Sequence, residues 1–268
     1  MTIHHDWDKT DAAGVAAFTR PKMAWFMEEA SAPGVKPMPL SKRAFDIGFA
    51  LLLLIPLSVV MLGVAGVLLL VQGRPILYAA HRMRGPNQPF TQWKFRTMLC
   101  EEHDFGATGA HKNWRITPVG RFLRRSRIDE LPQLFNILRG DMSFVGPRPP
   151  LREYVERFPA VYGRVLLSRP GVTGLATLIY HRHEDRILAR CKSAEATEAA
   201  YYRRCLPAKL KIDLIYQRHR SMRLDLWILW HTLKIVVSRR DERPHRRRRG
   251  ESYLPIGPSI RPRKGASG

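Results

Sequence analysis

The sequence predicts a mainly helical α/β protein that carries one long membrane-inserted helix. An apolar run over residues 47–71 indicates the membrane helix, two short apolar stretches around a turn indicate strands, and later segments repeat apolar residues at helical spacing. With 268 residues the chain can bury a core and form one or two domains.

The charge of the chain points to an anionic partner. The formal net charge is +22 at pH 7, an excess that favours nucleic acid, anionic lipid or a phosphorylated substrate. The three cysteines, Cys100, Cys191 and Cys205, lack paired spacing, so we expect reduced thiols in a protein that faces the cytosol.

Two segments precede the body of the protein. Residues 1–40 mix charges with prolines and are predicted to form a mobile N-terminal lead. Residues 41–73 are predicted to form the membrane helix, which begins too late for a simple secretory signal peptide. About 25 residues at helical rise reach about 38 Å, more than a hydrocarbon core of about 30 Å. Pro56, near the middle, removes a backbone N–H, and Ser58 is close enough to help satisfy the freed groups.

The flanking charges leave two topologies open for this helix. Lys42 and Arg43 precede the apolar run and Arg74 follows it, and basic flanks favour the cytoplasmic side of a membrane. A hairpin that bends at Pro56 and returns to the same face would place both flanks there. A proline-kinked transmembrane helix with its N-terminus outside is equally compatible with the residues.

Residues 74–238 are predicted to form the body of the protein. The predicted elements, in chain order, are strands over residues 76–80 and 90–96 around a turn at 85–87, a polar loop over 100–118, a basic helical turn over 120–127, a helix from about 129, a helix over 149–158, a turn and strand over 169–180, and helices over 189–204, 206–216 and 222–237. Pro132 fits the first turn of the helix from residue 129, and Gly140 is its candidate C-cap.

The last predicted helix and the tail carry signs of membrane contact. Trp227 and Trp230 lie between basic flanks, which fits either an amphipathic helix in the bilayer interface or a helix packed on the core. Residues 239–268 are rich in arginine and then in proline, glycine and serine. They are predicted to form a basic disordered tail that is attracted to anionic headgroups.

Two adjacent carboxylates, Asp129 and Glu130, follow a cluster of arginines. A carboxylate can attack phosphorus and form an acyl phosphate, which divides one transfer into two easier steps. A helix N-terminus at this point would favour a phosphoryl group. The alternative is that Asp129 is a helix N-cap, a role for which aspartate is favoured.

Five basic residues are candidates for holding a phosphorylated substrate. They are Arg124, Arg125, Arg148, Lys94 and Arg96. Guanidinium groups bind phosphate oxygens well, and Pro147 and Pro149 stiffen the backbone around Arg148. The alternatives are a solvated basic face that touches the membrane for the first pair, a structural turn for Arg148, and positions at the edge of the core for the residues predicted on the strand.

His181 and His183 have a spacing that suits a metal site on a strand. No clear third ligand accompanies them, so solvated or lipid-facing histidines are the favoured interpretation.

Several motifs together resemble those of the bacterial sugar transferases, the monotopic phosphoglycosyl transferases that move a sugar-1-phosphate from a UDP-sugar to polyprenyl phosphate. The motifs lie at residues 42–47 with Pro56, 94–98, 129–136, 140–143, 146–149 and 169–174. The resemblance extends over about residues 42–238. Residues 175–184 depart from the pattern of many members, which leaves the identity of the sugar open.

The resemblance implies a fold and a location. The membrane helix would be a re-entrant hairpin broken near Pro56, and residues 74–238 a compact α/β catalytic domain with amphipathic helices on the cytoplasmic leaflet. The protein would be a small-type member in the bacterial inner membrane. An anionic membrane is an expected partner, a homodimer is compatible with the sequence, and no nucleic acid is expected.

The resemblance also implies roles for the site residues. Asp129 would be the nucleophile that takes the phospho-sugar and releases UMP, and Glu130 would assist with protons or metal. Mg²⁺ is expected as the cofactor, held by Asp129 and Glu130, since it usually bridges carboxylates and substrate phosphates. The partners would be a UDP-sugar and polyprenyl (undecaprenyl) phosphate, and the reaction would begin exopolysaccharide or glycoconjugate synthesis.

Three other functions are compatible with parts of the sequence. A basic membrane-tethered protein that binds nucleic acid would use Arg246–Arg249 and would not need the acid pair. A direct glycosyltransferase would release UDP instead of UMP. A purely structural membrane protein is disfavoured by the density of phosphate-suited residues around a rigid turn.

Overall fold

The computed structural model describes residues 39–99, 115–191 and 193–238. The predicted tail, nearly all of the predicted N-terminal lead and most of the predicted polar loop lie outside the described residues. The elements, in chain order, are α1 (Leu40–Gln72), β1 (Leu77–Gly85), β2 (Gln88–Phe95), α2 (Pro118–Ser126), a 3-10 turn (Ile128–Glu130), α3 (Gln133–Arg139), β3 (Ser143–Val145), α4 (Arg152–Arg157), α5 (Pro159–Val165), β4 (Gly171–Thr173), α6 (Leu175–Leu188), α7 (Ala194–Ala200), a π-helical turn (Tyr201–Cys205), α8 (Leu206–His219) and α9 (Met222–Ser238).

Helices dominate this fold, and the strands form small local sheets. In the described part of the chain, β1 and β2 form an antiparallel hairpin, and β3 pairs in parallel with β4. The parallel pair joins Ser143 to Gly171 and Val145 to Thr173. The mainly helical α/β prediction is therefore confirmed.

The long helix α1 has the length and composition of a membrane helix. It has 33 residues, which at about 1.5 Å per residue span about 50 Å. Only 6% of its most apolar window is buried, whereas the core helix of a soluble protein would be mostly buried. Pro56 lies inside the helix, and the Ser58 hydroxyl donates to the Ile55 carbonyl at 2.7 Å, not to the carbonyl one turn before the proline.

Both ends of α1 are attached to the same body. Near the start, the Arg43 guanidinium donates to the carbonyls of Ile137 and Leu138 at 2.6 and 2.8 Å, at the end of α3. At the other end, the Gln72 amide donates to the Thr117 hydroxyl at 2.9 Å. The Arg96 guanidinium donates to carbonyls at the same end of the helix.

A buried ionic cluster joins the first turn of α1 to α9. Lys42 lies 3.3 Å from Asp46 on its own helix and 2.9 Å from Asp225 on α9. The Tyr216 hydroxyl donates to Asp225 at 2.7 Å, and the Phe144 N–H donates to Asp46 at 3.4 Å. All of these groups are buried, so their mutual pairing offsets the cost of removing charges from water.

Two main apolar clusters hold the body together. One lies between α4, α5 and α8, and its fully buried members include Val155 and Val165. The other lies between α3, β3 and α9 and includes Ile137, Met142 and Ile228. Residues of the first half of α1 pack against the second cluster, which fixes that half of the helix onto the body.

The structure overturns one predicted element. Residues 175–180, predicted as a strand, are the start of helix α6. Leu175 and Leu178 pack on one apolar cluster, while Tyr180 and Ile187 pack on the other. Because α6 lies between two clusters, its apolar residues do not follow a single helical stripe, and the local pattern resembles a strand.

Other predicted boundaries shift by a few residues. The helix predicted from Asp129 begins as a 3-10 turn, and the α-helix α3 starts at Gln133. The helix predicted over 189–204 begins at Ala194, where the Ser193 side chain accepts a hydrogen bond from the Ala196 N–H. Gly140 ends α3 in the left-handed conformation, at φ 93°, as its role of C-cap requires.

Candidate active site

The acid pair lies on a short turn whose shape is set by Arg127. This residue ends α2 in the left-handed conformation, at φ 59°. The chain then turns immediately into the 3-10 segment that carries Asp129 and Glu130. The reversal brings the acid pair against β2, where Lys94 projects from the strand toward Glu130.

Asp129 is a buried carboxyl group with spare hydrogen-bonding capacity. It is 7% exposed, and its Oδ1 atom accepts no hydrogen bond from any described residue. Burial, and secondly the charge of Glu130, raises its pKa to about 6, against the opposing effect of Lys94, Arg124 and Arg127. At neutral pH Asp129 is mainly ionised and retains an oxygen that can form a new bond.

Glu130 is held in the opposite state. Its carboxylate accepts a hydrogen bond from Lys94 at 3.0 Å and lies 3.5 Å from Arg127. Burial acts to raise the pKa of Glu130, but Lys94, Arg148 and Arg127 outweigh it and lower the pKa to about 2. Burial, followed by the charge of Arg148, lowers the pKa of Lys94. Glu130 is therefore a permanently charged partner of the cations, while Asp129 is the carboxylate with an available oxygen.

The loop that carries Arg148 is fixed from both sides. The Pro147 carbonyl accepts from the Gly171 N–H at 2.8 Å, and the Pro150 carbonyl accepts from the Met83 N–H at 3.1 Å. At Gly146 a Cβ atom would lie 2.1 Å from the Arg169 carbonyl oxygen, so the close approach of the two segments requires glycine there. The exposed Arg148 side chain thus extends from a rigid support, and its charge acts on Glu130.

A cavity of about 230 Å³ has Glu130 of the acid pair in its wall and combines charged with apolar lining. The charged side chains in its wall are Glu130, Arg125, Arg127 and Arg182, and the other polar ones are Gln133, Thr173, Thr177, His181 and Thr232. The apolar wall comes from α1, α3, β3, β4, α6 and α9, and consists of Leu53, Leu57, Leu131, Leu134, Phe144, Val172, Leu178, Ile235 and Val236. A ligand with a phosphate at one end and a hydrocarbon chain at the other matches this lining.

Comparison with known proteins agrees with this geometry. Residues 38–239 match the family described as bacterial sugar transferase. The chain belongs to this family.

The sugar transferase is similar to several curated proteins. It is 34% identical over 213 residues to the exopolysaccharide production protein ExoY of Sinorhizobium fredii, covering 74% of this chain and 85% of that one. It is 34% identical over 196 residues to the UDP-glucose:undecaprenyl-phosphate glucose-1-phosphate transferase of Klebsiella pneumoniae, covering 72% of this chain and 39% of that one.

A third relative acts on a different sugar. The UDP-N-acetylgalactosamine-undecaprenyl-phosphate N-acetylgalactosaminephosphotransferase of Aeromonas hydrophila is 33% identical over 202 residues, covering 74% of this chain and 44% of that one. The sugar transferase therefore spans less than half the length of the Klebsiella and Aeromonas relatives.

Most of the basic residues predicted from the sequence to bind substrate lie around the acid pair or line the adjoining cavity. Arg124 bonds the Thr97 hydroxyl at 2.8 Å, and its charge acts on Asp129. The charges of Lys94 and Arg148 lower the pKa of Glu130, and Arg125 lines the adjoining cavity. Arg96 is placed differently, because its guanidinium binds the carbonyls of Gln72, Gly73 and Arg74 at the end of α1.

Sequence reasoning missed Arg127 and Arg182. Arg127 directly precedes the acid pair, but its left-handed backbone, which turns it toward Glu130, has no periodic signal in the sequence. Arg182 lies on helix α6, whose first residues were predicted as a strand, so its place in the wall of the cavity followed from no sequence pattern.

The described residues limit where a metal ion can bind. No group of three or more histidine, cysteine, aspartate or glutamate side chains among them is placed to hold one. His181 and His183 lie on helix α6, where the His181 ring is 3.5 Å from Asp185. Asp129 and Glu130 supply oxygen ligands, and Mg²⁺ commonly takes its remaining ligands from water and substrate phosphates. Within the acid pair, the unbonded Oδ1 of Asp129 is the oxygen that would be open to Mg²⁺ bound together with a diphosphate, whereas Glu130 already contacts Lys94 and Arg127.

Proposed function

We propose that this sugar transferase transfers a sugar-1-phosphate from a UDP-sugar to polyprenyl phosphate, through a covalent intermediate on Asp129. The observation that carries the proposal is the state of Asp129, a buried and mainly ionised carboxylate with one unbonded oxygen, next to cations. Names of the relatives support the substrates, since the Klebsiella and Aeromonas proteins are described as acting on undecaprenyl phosphate and UDP-sugars.

In the first step, an Asp129 oxygen attacks the phosphorus that carries the sugar. The bond between that phosphorus and the oxygen bridging the two phosphates breaks, and UMP leaves with the bonding electron pair. Arg124 and Arg148 bring positive charge to a diphosphate that would otherwise repel the carboxylate, which lowers the electrostatic barrier.

In the second step, a phosphate oxygen of polyprenyl phosphate attacks the same phosphorus. The bond from phosphorus to the Asp129 oxygen breaks, which regenerates the carboxylate and yields polyprenyl diphospho-sugar. The attacking oxygen of polyprenyl phosphate is already ionised at neutral pH, so this step needs positioning more than a general base.

Glu130 and Lys94 serve this site as a fixed ion pair. Their contact at 3.0 Å orients Lys94, and the negative charge of Glu130 keeps Lys94 and Arg127 beside Asp129. Asp129 and Glu130 would also hold magnesium, which when bound neutralises charge on the diphosphate.

The cavity beside the acid pair is the proposed acceptor site. Arg125, Arg127 and Arg182 would bind the phosphate, and Leu53 and Leu57 of α1 would contact the first prenyl units. A larger apolar cavity of about 1330 Å³ lies between the second half of α1, which contributes Met61, and α3, which contributes Arg139. Neither carboxylate of the acid pair lines this cavity. The cavity with Glu130 in its wall is therefore the better acceptor site.

The attachment of both ends of α1 supports a re-entrant topology. One globular body binds Arg43 near the start of the helix and Gln72 at its end, which favours a placement with both ends on the side of the membrane where the body lies. The helix itself runs from Leu40 to Gln72 with Pro56 inside it, so the proposed bend at Pro56 rests on these attachments and not on a break in the helix. We propose that the body faces the cytoplasm, at the bacterial inner membrane, and that the middle of α1 dips into the bilayer. The reaction would then begin lipid-linked assembly of an exopolysaccharide or another glycoconjugate.

Nucleotide release tests the proposal. Purified full-length protein in detergent would receive Mg²⁺, polyprenyl phosphate and a panel of UDP-sugars, beside an Asp129→Asn variant. UMP release by the wild type and not by the variant is the expected result, and the productive donor names the sugar. Release of UDP would point to direct glycosyl transfer and would contradict the proposal.

A further inference from the structure

A second cavity, of about 190 Å³, lies at the start of α1. Its walls come from the first turn of α1, the segment before β4 and the junction of α8 with α9. Residues that define it are Ser41, Ser168, Arg169, Gln217, Arg220 and Ser221. It shares no lining residue with the cavity beside the acid pair.

Besides Nζ of Lys42, which is ion-paired with Asp46 and Asp225, three buried donors around this cavity make no hydrogen bond to the described residues. They are Nη1 of Arg169, Nε2 of Gln217 and Nη2 of Arg220. The neighbouring polar atoms are satisfied, because Ser168 donates to the Gln217 side-chain oxygen and accepts from Arg220 Nη1 at 3.1 Å. Native proteins rarely bury donors without partners, since each one costs free energy. A ligand with several acceptor oxygens would supply the partners.

The charges around the cavity select an anion. Arg169, Arg218 and Arg220 line it. Asp225 also lines it, but its carboxylate is occupied by Lys42 and by the Tyr216 hydroxyl. Burial, and then the nearby Arg43, lowers the pKa of Arg169, which reflects the crowding of cations.

The N-terminus of α1, which is the positive end of its helix dipole, also favours an anion in this cavity. Pro39 and Ser41, at the N-terminus of the 33-residue helix, line the cavity. Pro39 gives the helix no side-chain cap in the described structure, so its first N–H groups have no side-chain acceptor. Unpaired N–H groups and the helix dipole at such an end favour phosphate.

The position of the cavity identifies the source of the phosphate. Ser41 lies four residues before Phe45, at which the apolar face of α1 begins, and four residues rise about 6 Å. That distance places the cavity at the depth of lipid headgroups when α1 is in a bilayer. We propose that this cavity binds the phosphate of an anionic phospholipid and fixes the start of the membrane helix at the headgroup level. The proposal rests on the membrane placement of α1 and not on the reaction.

Thermal stability with defined lipids tests this site. Delipidated full-length protein in a neutral detergent would be titrated with phosphatidylglycerol, with phosphatidylcholine or with inorganic phosphate. The variants are Arg220→Gln and Arg169→Gln, and the control is Arg186→Gln, which removes the same charge from an exposed position of α6 outside the cavity. Flotation of the wild type with phosphatidylcholine vesicles measures membrane placement separately.

We expect phosphatidylglycerol to raise the melting temperature of the wild type and of Arg186→Gln. In each cavity variant the half-saturating phosphatidylglycerol concentration should rise about tenfold, since a charge-assisted hydrogen bond is lost. The use of two variants guards against one that fails to fold.

Two results would overturn the assignment. An equal response to inorganic phosphate would identify a free phosphate site instead of a lipid site. An equal loss in Arg186→Gln would show general surface attraction instead of a site. If the wild type does not float with phosphatidylcholine vesicles, the proposed membrane placement of α1 is wrong. The flotation experiment therefore separates this outcome from the other two.

Discussion

At the scale of single residues, the site holds two neighbouring carboxylates in contrasting states. Burial raises the pKa of Asp129 to about 6, whereas Lys94, Arg148 and Arg127 outweigh burial and lower that of Glu130 to about 2. Environments that separate the pKa values of paired groups also separate their roles. The chain uses Glu130 to hold cations and leaves Asp129 available for bond formation.

The raised pKa of Asp129 predicts the pH dependence of the first step. The carboxylate must be ionised to attack phosphorus, so kcat/KM for UMP release should fall as pH drops through about 6, with a slope of one proton. The profile of kcat/KM reports the free enzyme and is measured at low UDP-sugar between about pH 5 and 8. A rate that stays flat down to pH 5 would contradict this assignment.

The acid pair also predicts stability changes of opposite sign. The Asp129 pKa lies above its unfolded value of 3.8, so ionisation at neutral pH costs the native state free energy. Asp129→Asn should raise the free energy of unfolding, by up to about 3 kcal/mol. The gain should be absent below about pH 4 and complete above about pH 6.

Glu130→Gln is the matched control for this effect. The pKa of Glu130 lies below its unfolded value of 4.5, so its ionised form stabilises the fold above that pH and the benefit is lost as pH falls toward 2. The substitution should lower the free energy of unfolding at neutral pH. Denaturant unfolding in EDTA measures both variants, and changes of the same sign would be inconsistent with the described electrostatics.

At the scale of elements, the buried cluster of Lys42, Asp46 and Asp225 joins α1 to α9. Both helices present apolar side chains outward, including Trp227 and Trp230 on α9. The cluster therefore fixes α1 relative to a second helix whose exposed apolar side chains suit a bilayer interface. It lies before the apolar run of α1, so its charges have a protein environment on the side where, in the proposed topology, the helix would enter lipid.

Removal of the shared cation should destabilise the fold strongly. Lys42→Met leaves buried carboxylates unpaired and is expected to cost about 3–5 kcal/mol in the free energy of unfolding. Arg152→Met is the control, because Arg152 and Glu156 are 3.8 Å apart with side chains 65% exposed. Such a surface pair contributes about 0–1 kcal/mol. The free energy of unfolding of both variants is measured by denaturant unfolding. Similar decreases in the two variants would show that the buried cluster does not stabilise the fold more than a surface ion pair.

Helix α6 provides a test of the acceptor cavity. Arg182→Gln should raise the KM for polyprenyl phosphate roughly tenfold, because a cation at the phosphate is lost. UMP release in the first step, measured without acceptor, should change little. Arg186→Gln on the same helix serves as the control. A defect in the first step alone would place the acceptor elsewhere.

Sequence patterns predicted those elements that form by local rules. Apolar spacing located α8 and α9, and the strand–turn–strand pattern located the hairpin of β1 and β2. The acid pair and the Pro147–Pro149 turn were predicted as parts of the site from their residue types. Helix α6 was missed because its apolar residues face two separate clusters. The place of Arg127 depends on a left-handed backbone and that of Arg182 on tertiary packing.

At the scale of the whole molecule, one body holds both ends of a 33-residue apolar helix. The exposed middle includes Ile55, Val59 and Leu62, which flank Pro56. An apolar surface of this kind is stable in lipid and not in water. In the proposed topology the active site lies beside the membrane, where a soluble UDP-sugar and a lipid-borne acceptor can both reach Asp129.

Cysteine labelling tests this topology. Leu40→Cys, at a site 88% exposed before the apolar run, and Arg74→Cys, just after α1, would be made in a background without other cysteines. Both should react with an impermeant maleimide from the cytoplasmic face, and Ile55→Cys should react from neither face. Reaction of Leu40→Cys from the opposite face alone would indicate a spanning helix.

In the proposed mechanism, Asp129 carries the phospho-sugar. The most direct measurement is the intact mass of the protein after incubation with a productive UDP-sugar and Mg²⁺, without acceptor, for wild type and Asp129→Asn. We expect a mass increase of one sugar phosphate in the wild type alone, mapped to the peptide with Asp129 and lost when polyprenyl phosphate is added. Product formation at full rate with no adduct, or an adduct retained in Asp129→Asn, would contradict it.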